Sequence, residues 1–168
     1  GLVTLRNDLH INCGRLPDQL SYQVMLIGEY KHTLDPKKRL SLPSKWRKEL
    51  GRVLVVTRGL DNCLFVYPLT EWEKITEKIG QLPLGQADTR SFNRFFLSGA
   101  VEVEVDSVGR ILVPDFLKDF AVLNTNVVLA GIHNRIEIWD EEKWTEYKRK
   151  IESQADALAE KLGEIGVL

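Results

Sequence analysis

Residues 105–114 read Val105-Asp106-Ser107-Val108-Gly109-Arg110-Ile111-Leu112-Val113-Pro114, and residues 34–43 read Leu34-Asp35-Pro36-Lys37-Lys38-Arg39-Leu40-Ser41-Leu42-Pro43. Each runs from an apolar residue through Asp, three residues, Arg and three more residues to Pro. The matched Asp, Arg and Pro residues are all 71 positions apart. Further along, the offset becomes 72: Gly59 matches Gly131, Asn62 matches Asn134, Leu64 matches Ile136, Tyr67 matches Trp139 and Trp72 matches Trp144. One residue has been inserted between two blocks that together fill most of residues 28–146. Two copies are fewer than a solenoid array needs. They indicate one pseudo-twofold domain whose halves complete a common core.

The local pattern supports an α+β reading. Residues 27–35 and 39–42 read as strands around a short turn in which Pro36 fixes φ. In the second copy Val101-Glu102-Val103-Glu104-Val105 alternates strictly, as a half-buried strand does. Gly109 occupies a hairpin position that favours positive φ. Lys38 stands there in the first copy, so that loop either takes another geometry or carries a small strain. Pro43 and Pro114 open short helices, Ser44–Leu50 and Asp115–Phe120, where a missing amide costs nothing. A second strand pair, 53–57 and 63–67, recurs as 127–130 and 135–139. Thr70 and Asp140 are the expected N-caps of the helices that follow, and Trp72 and Trp144 the expected core anchors on them.

Pro83 and Gly85 mark a linker, and 90–98 reads as a helix with Phe92, Phe95 and Phe96 on one side. Residues 141 to about 161 read as one long charged helix with a narrow apolar stripe of Trp144, Tyr147 and Ile151. The division is then 25–80 first repeat, 81–99 linker and connecting helix, 100–146 second repeat, and 147–168 helical extension. Residues 1–24 hold no copy of the repeat, and the only methionine is Met25. The expectation is that Met25 is the natural start and that 1–24 is a non-native or disordered leader.

The whole chain is electrically balanced, with 23 Lys and Arg against 24 Asp and Glu. The distribution is uneven. Residues 30–48 hold Lys31, Lys37, Lys38, Arg39, Lys45, Arg47 and Lys48 against Asp35 alone, whereas 100–118 hold Arg110 and Lys118 against four acids. A basic block in a neutral protein can present one positive face. No apolar run approaches the roughly 20 residues of a membrane span, and Cys13 and Cys63 do not make a disulfide framework, so a reduced cytoplasmic setting is expected.

Three intervening residues place Asp35 and Arg39 at facing ends of a tight hairpin, and likewise Asp106 and Arg110. Such a pair either pins the turn or lets Asp orient Arg toward an outside anion. A guanidinium can grip a phosphate or the O6/N7 edge of guanine with two hydrogen bonds. In the first copy Lys37, Lys38 and Arg39 form three consecutive cations beside the turn, and Arg47 and Lys48 stand ready for phosphate contacts. In the second, among acids, Asp106 reads as a structural brace and Arg110 as an assistant. Catalytic and metal constellations are not found: His10, His32 and His133 lack ligand spacing, and no glycine-rich phosphate loop or nucleophile elbow occurs.

The paired phrases, the block Leu64-Phe65-Val66-Tyr67-Pro68-Leu69 with Trp72, and Ile136-Glu137-Ile138-Trp139-Asp140 with Trp144 resemble the MraZ family from residue 25 to about 150. The resemblance implies a pseudo-twofold, swapped-hairpin AbrB-like β-barrel built from two tandem repeats with flanking helices and a long C-terminal helix. It implies a sequence-specific, nucleoid-associated transcriptional regulator that binds repeated sites in double-stranded DNA upstream of its own division and cell-wall gene cluster, as a ring-like homo-oligomer, with no cofactor and no small-molecule substrate. The family's DNA-binding arginine carries over to Arg39 and, in the second motif, to Arg110; Lys37 matches the basic position, and Lys38 departs from the usual glycine, which Gly109 keeps. Antitoxin-like members of the same superfold supply the alternative, a protein-interaction module without a direct DNA role.

Overall fold

The computed structural model describes residues 23–167. The expectation for residues 1–24 falls almost wholly outside them, as do His10 and Cys13. The chain runs β1 (Leu26–Thr33), β2 (Arg39–Ser41), α1 (Ser44–Leu50), β3 (Val53–Arg58), β4 (Leu64–Pro68) and α2 (Leu69–Gly80). After α3 (Ala87–Ser98) the order recurs as β5 (Val101–Glu104), β6 (Arg110–Leu112), α4 (Asp115–Phe120), β7 (Asn126–His133), β8 (Arg135–Asp140) and α5 (Glu141–Ser153), followed by α6 (Ala155–Glu164). The class is α+β.

The two copies are interleaved. A six-stranded antiparallel sheet has the order β1-β7-β8-β4-β3-β5, and β2 pairs with β6 in a separate two-stranded ribbon. Each copy's own first hairpin closes only at its tip, through the Leu34–Leu40 bridge in the first. Beyond the tip β1 leaves for β7 and β2 for β6, both in the other copy. In the ribbon Leu40 faces Ile111, and in the large sheet Phe65 faces Glu137. Each of these pairs joins residues that the repeat equates, so the pseudo-twofold axis passes through both.

Strand alternation explains the core. Leu40, Leu54, Val56, Leu64, Val66, Ile111, Leu129, Ile136 and Ile138 form one cluster fed by both copies. Phe65, Tyr67 and Trp139, offset by one residue, join a second cluster with Cys63 and Phe96, against which Trp72 and Trp144 pack half-buried. Successive strand side chains point to opposite faces, so β4 is buried throughout because each of its faces meets a different cluster. Trp46 pins α1 to β1: its indole N–H donates to the Ile27 carbonyl at 3.2 Å and its ring meets Tyr30 edge-on at 4.8 Å.

Some expectations change. Thr70 is not an N-cap; α2 begins at Leu69 behind Pro68, whose fixed φ suits the helix entrance. Asp140 does cap α5, accepting from the Glu142 and Lys143 amides at 3.2 and 3.5 Å. The connecting helix α3 starts at Ala87, ahead of residue 90. The single long terminal helix is broken at Gln154, where φ is −111° and ψ 2°. Ser153 turns its hydroxyl back to the Lys150 carbonyl at 2.7 Å, a local bond that competes with the helix ladder. Trp144 and Tyr147, which pack α5 against the second core cluster, both lie before this break.

Candidate functional site

The two Asp-x-x-x-Arg turns have the same construction. In the first, the Arg39 amide donates to Asp35 Oδ1 at 2.8 Å and Arg39 Nε donates to Oδ2 at 2.7 Å. The Asp35 amide donates back to the Arg39 carbonyl at 3.0 Å, and the Lys38 amide to the Asp35 carbonyl at 2.8 Å. In the second, the Arg110 amide and Nε donate to Asp106 at 2.9 and 2.8 Å, and the Val108 amide adds a third bond at 3.0 Å. The carboxyls of Asp35 and Asp106 are held below the usual aspartate range, chiefly by the amides of Arg39 and Arg110 and then by their guanidinium groups.

Each carboxylate engages Nε and leaves the two terminal nitrogens of the guanidinium without a protein acceptor among the described residues. Arg39 pairs across the ribbon with Leu112, and Arg110 with Ser41. Strand alternation sends Leu40 and Ile111 inward and these four residues outward. The two arginines therefore share one face, diagonally about 7–8 Å apart. What the arrangement can do is present two oriented, always-charged forks to a planar or anionic acceptor.

The turns differ at one position. Lys38 adopts φ 62° and Gly109 φ 82°, so the first loop keeps the glycine geometry with a lysine in it. Lys38 Nζ pairs with the carboxylate of Asp115 on α4. The backbone bonds around the two positions are mutual: Val113 N donates to the Lys38 carbonyl and Leu42 N to the Gly109 carbonyl, both at 2.9 Å. Arg47 on α1 donates from Nε to the Leu42 carbonyl at 3.0 Å, and its guanidinium lies against Gly109 so closely that a Cβ there would stand 2.2 Å from Cζ.

Arg39, Arg110, Lys38 and Arg47 are thus brought to the hairpin tips, and Lys37 is exposed on the first loop. Lys48 is elsewhere; it lines a groove with Gly51, Arg52 and Lys74. Pro43 and Pro114 precede α1 and α4 and set where these helices start. Sequence reasoning missed the roles of Asp115, as partner of Lys38, and of Lys118, which lines a cavity of about 410 Å³ with Asp35 and Lys38. The 71-residue offset carries the signal, because it equates Ser44 with Asp115 and Arg47 with Lys118.

Other chemistry is sparse. Cys63 is buried, and burial pushes its thiol far up. Glu102 and Glu104 are both exposed on β5. Among the described residues no group of His, Cys, Asp and Glu gathers for a metal ion, and no helix is long and apolar enough to cross a membrane.

Two tandem copies of one unit, exchanging strands around a shared core and each headed by an aspartate-braced arginine, define a duplicated-domain protein. The profile of a family described as "MraZ protein, putative antitoxin-like" matches it twice, over residues 25–95 and 96–164. The transcriptional regulator MraZ of Natranaerobius thermophilus is 52% identical over 138 residues, 82% of this chain and 96% of its own. Its namesakes are 48% identical over 143 residues in Caldanaerobacter subterraneus subsp. tengcongensis and 50% over 145 in Clostridium acetobutylicum, each covering 85% of this chain and 100% of the relative. The chain belongs to the MraZ family.

Proposed function

We propose that the protein is a sequence-specific DNA-binding transcriptional regulator that acts on repeated promoter sites as a ring-like homo-oligomer, and that the interleaved pairing is the swapped-hairpin AbrB-like arrangement. The observation that carries the reading is the pair of arginines on one face of the β2–β6 ribbon, each held through Nε and each free at its terminal nitrogens. A two-stranded ribbon fits the major groove, and an arginine fork matches the O6/N7 edge of guanine. Lys37 and Lys38, with Arg47 near the second hairpin's tip, supply the charge for phosphate contacts, which position without reading sequence. The curated relatives carry the name of transcriptional regulators.

The natural target is the promoter of its own division and cell-wall cluster. Several copies turning their ribbons and basic first loops the same way form one broad basic surface, and repeated sites then gain affinity through effective concentration. The exposed apolar side chains of Leu84, Phe92, Leu158 and Leu162 offer surface for contacts between copies.

A mobility-shift titration on duplex DNA from upstream of the gene tests this. Arg39→Ala is expected to keep the fold and assembly and to lose operator retention, with the remaining binding falling steeply with salt. Undiminished sequence-specific retention by Arg39→Ala would remove the ribbon from the interface. The antitoxin-like wording of the family description favours a second reading, a protein-binding module; wild-type protein that ignores this DNA yet co-purifies with a protein partner would establish it instead.

A further inference from the structure

The repeat equates Lys37 with Val108 and Ser41 with Leu112. The two hairpins keep the same aspartate and arginine but flank the arginine along the sequence with opposite chemistry. Leu112 is 57% exposed on the outer face of the ribbon, directly across from Arg39, and Val108 is 55% exposed in the loop before Arg110. A single exposed leucine needs no explanation. Here two apolar side chains stand on one hairpin, each where the other hairpin carries a lysine or a serine, beside guanidinium groups already oriented outward.

We infer that Leu112 is a specificity-determining residue that takes the C5-methyl group of a thymine next to a guanine contacted by Arg39 across the ribbon; this rests on the DNA-binding reading above. Thymine carries the one apolar group that a base pair shows in the major groove. Directly opposed strand residues have Cβ atoms about 4.5–5.5 Å apart, and base pairs rise about 3.4 Å, so Leu112 and Arg39 reach the same or adjacent base pairs. Lys37 and Lys38, in the loop before Arg39, carry the charge suited to phosphate. The two ends of the ribbon therefore differ: Arg39 stands across from Leu112, and Arg110 across from Ser41. A pseudo-twofold backbone then sits on the duplex in one orientation only, and the second hairpin is more than a brace.

The test is selection from a randomised duplex library with the wild-type chain and with Leu112→Ser, followed by replacing each thymine of the selected site with deoxyuridine, which removes only the methyl group. The wild type is expected to select a thymine at a fixed place beside a guanine, and deoxyuridine there to weaken binding about four-fold, the effect of uncovering one methyl group. Leu112→Ser, at an exposed position, is expected to fold, to keep the guanine and to be indifferent to the replacement. Equal sensitivity in wild type and variant, or no sensitive thymine at all, overturns the assignment while leaving the DNA-binding reading intact. A variant that selects the same site but changes the mass of the assembly places Leu112 between copies and also overturns it. Wild-type protein that enriches no sequence overturns both.

Discussion

Leu40 and Ile111 face each other across the pseudo-twofold axis of the ribbon, and both are sealed in the core, at 0% and 1% exposure. They anchor the strands that carry Arg39 and Arg110. Leu40→Ala or Ile111→Ala is expected to cost about 2–5 kcal/mol, the range for emptying a buried aliphatic site, read as a lower urea midpoint. DNA retention should fall in step. An unchanged midpoint would show that the ribbon is not held by this pair.

Lys38 and Gly109 share one backbone geometry with unequal strain. A side chain in the left-handed region costs roughly 1–2 kcal/mol, whereas an exposed ion pair such as Lys38–Asp115 returns about 0–1 kcal/mol. Lys38→Gly is thus expected to stabilise the protein by up to about 1 kcal/mol in thermal or urea unfolding, while weakening retention on DNA. Gly109→Ala should destabilise, because it adds the same strain and drives a Cβ into the Arg47 guanidinium. Arg47→Ala should recover part of that loss in a double-mutant cycle; additive losses would separate the two residues.

The carboxyls of Asp35 and Asp106 ionise more readily in the folded state than in the unfolded one. A depressed folded value means that their contribution is fully present above the ordinary aspartate range and is lost as pH falls through the lowered folded value. Carboxyl-carbon NMR titration should give both residues midpoints below those of exposed aspartates. Ordinary midpoints would mean that the arginine tethers do not persist in solution.

Cys63 donates its thiol to the Leu60 carbonyl at 3.1 Å and is kept protonated by burial. The thiolate is the reactive form. In a Cys13→Ser background, Ellman's reagent at mildly alkaline pH is expected to leave the native protein unlabelled and to label one thiol in urea. Fast native labelling would contradict the burial.

Much of the fold was legible because the chain repeats. The 71-residue phrase located both turns, and proline marked the first residues of α1 and α4. Pairing was not legible from local pattern, since alternation reports which face of a strand is buried and says nothing of which strand lies alongside; only the family resemblance pointed to exchange. The ends of α2 and of the terminal helix escaped for a related reason. Thr70 has the chemistry of a cap, but Pro68 had already set the entrance, and the Ser153 back-bond leaves no mark in the apolar stripe. At the site, charge singled out residues 30–48 and said nothing of Val108 and Leu112, whose exposure follows only from the pairing that makes the ribbon.

The Phe65–Glu137 pair bears on the symmetry of the two copies. Two separate identical chains meeting on an axis must put the same residue on both sides of it. Here one side is aromatic and the other acidic: Glu137, only 8% exposed, accepts from Arg135 at 2.8 Å and from the Trp139 indole at 3.1 Å, while Arg135 lies over the Phe65 ring at 4.4 Å. A homodimer of the second half would bury two facing carboxylates, whereas one of the first would face phenylalanine with phenylalanine. Two copies in one polypeptide allow an asymmetry on the axis that a symmetric homodimer cannot have.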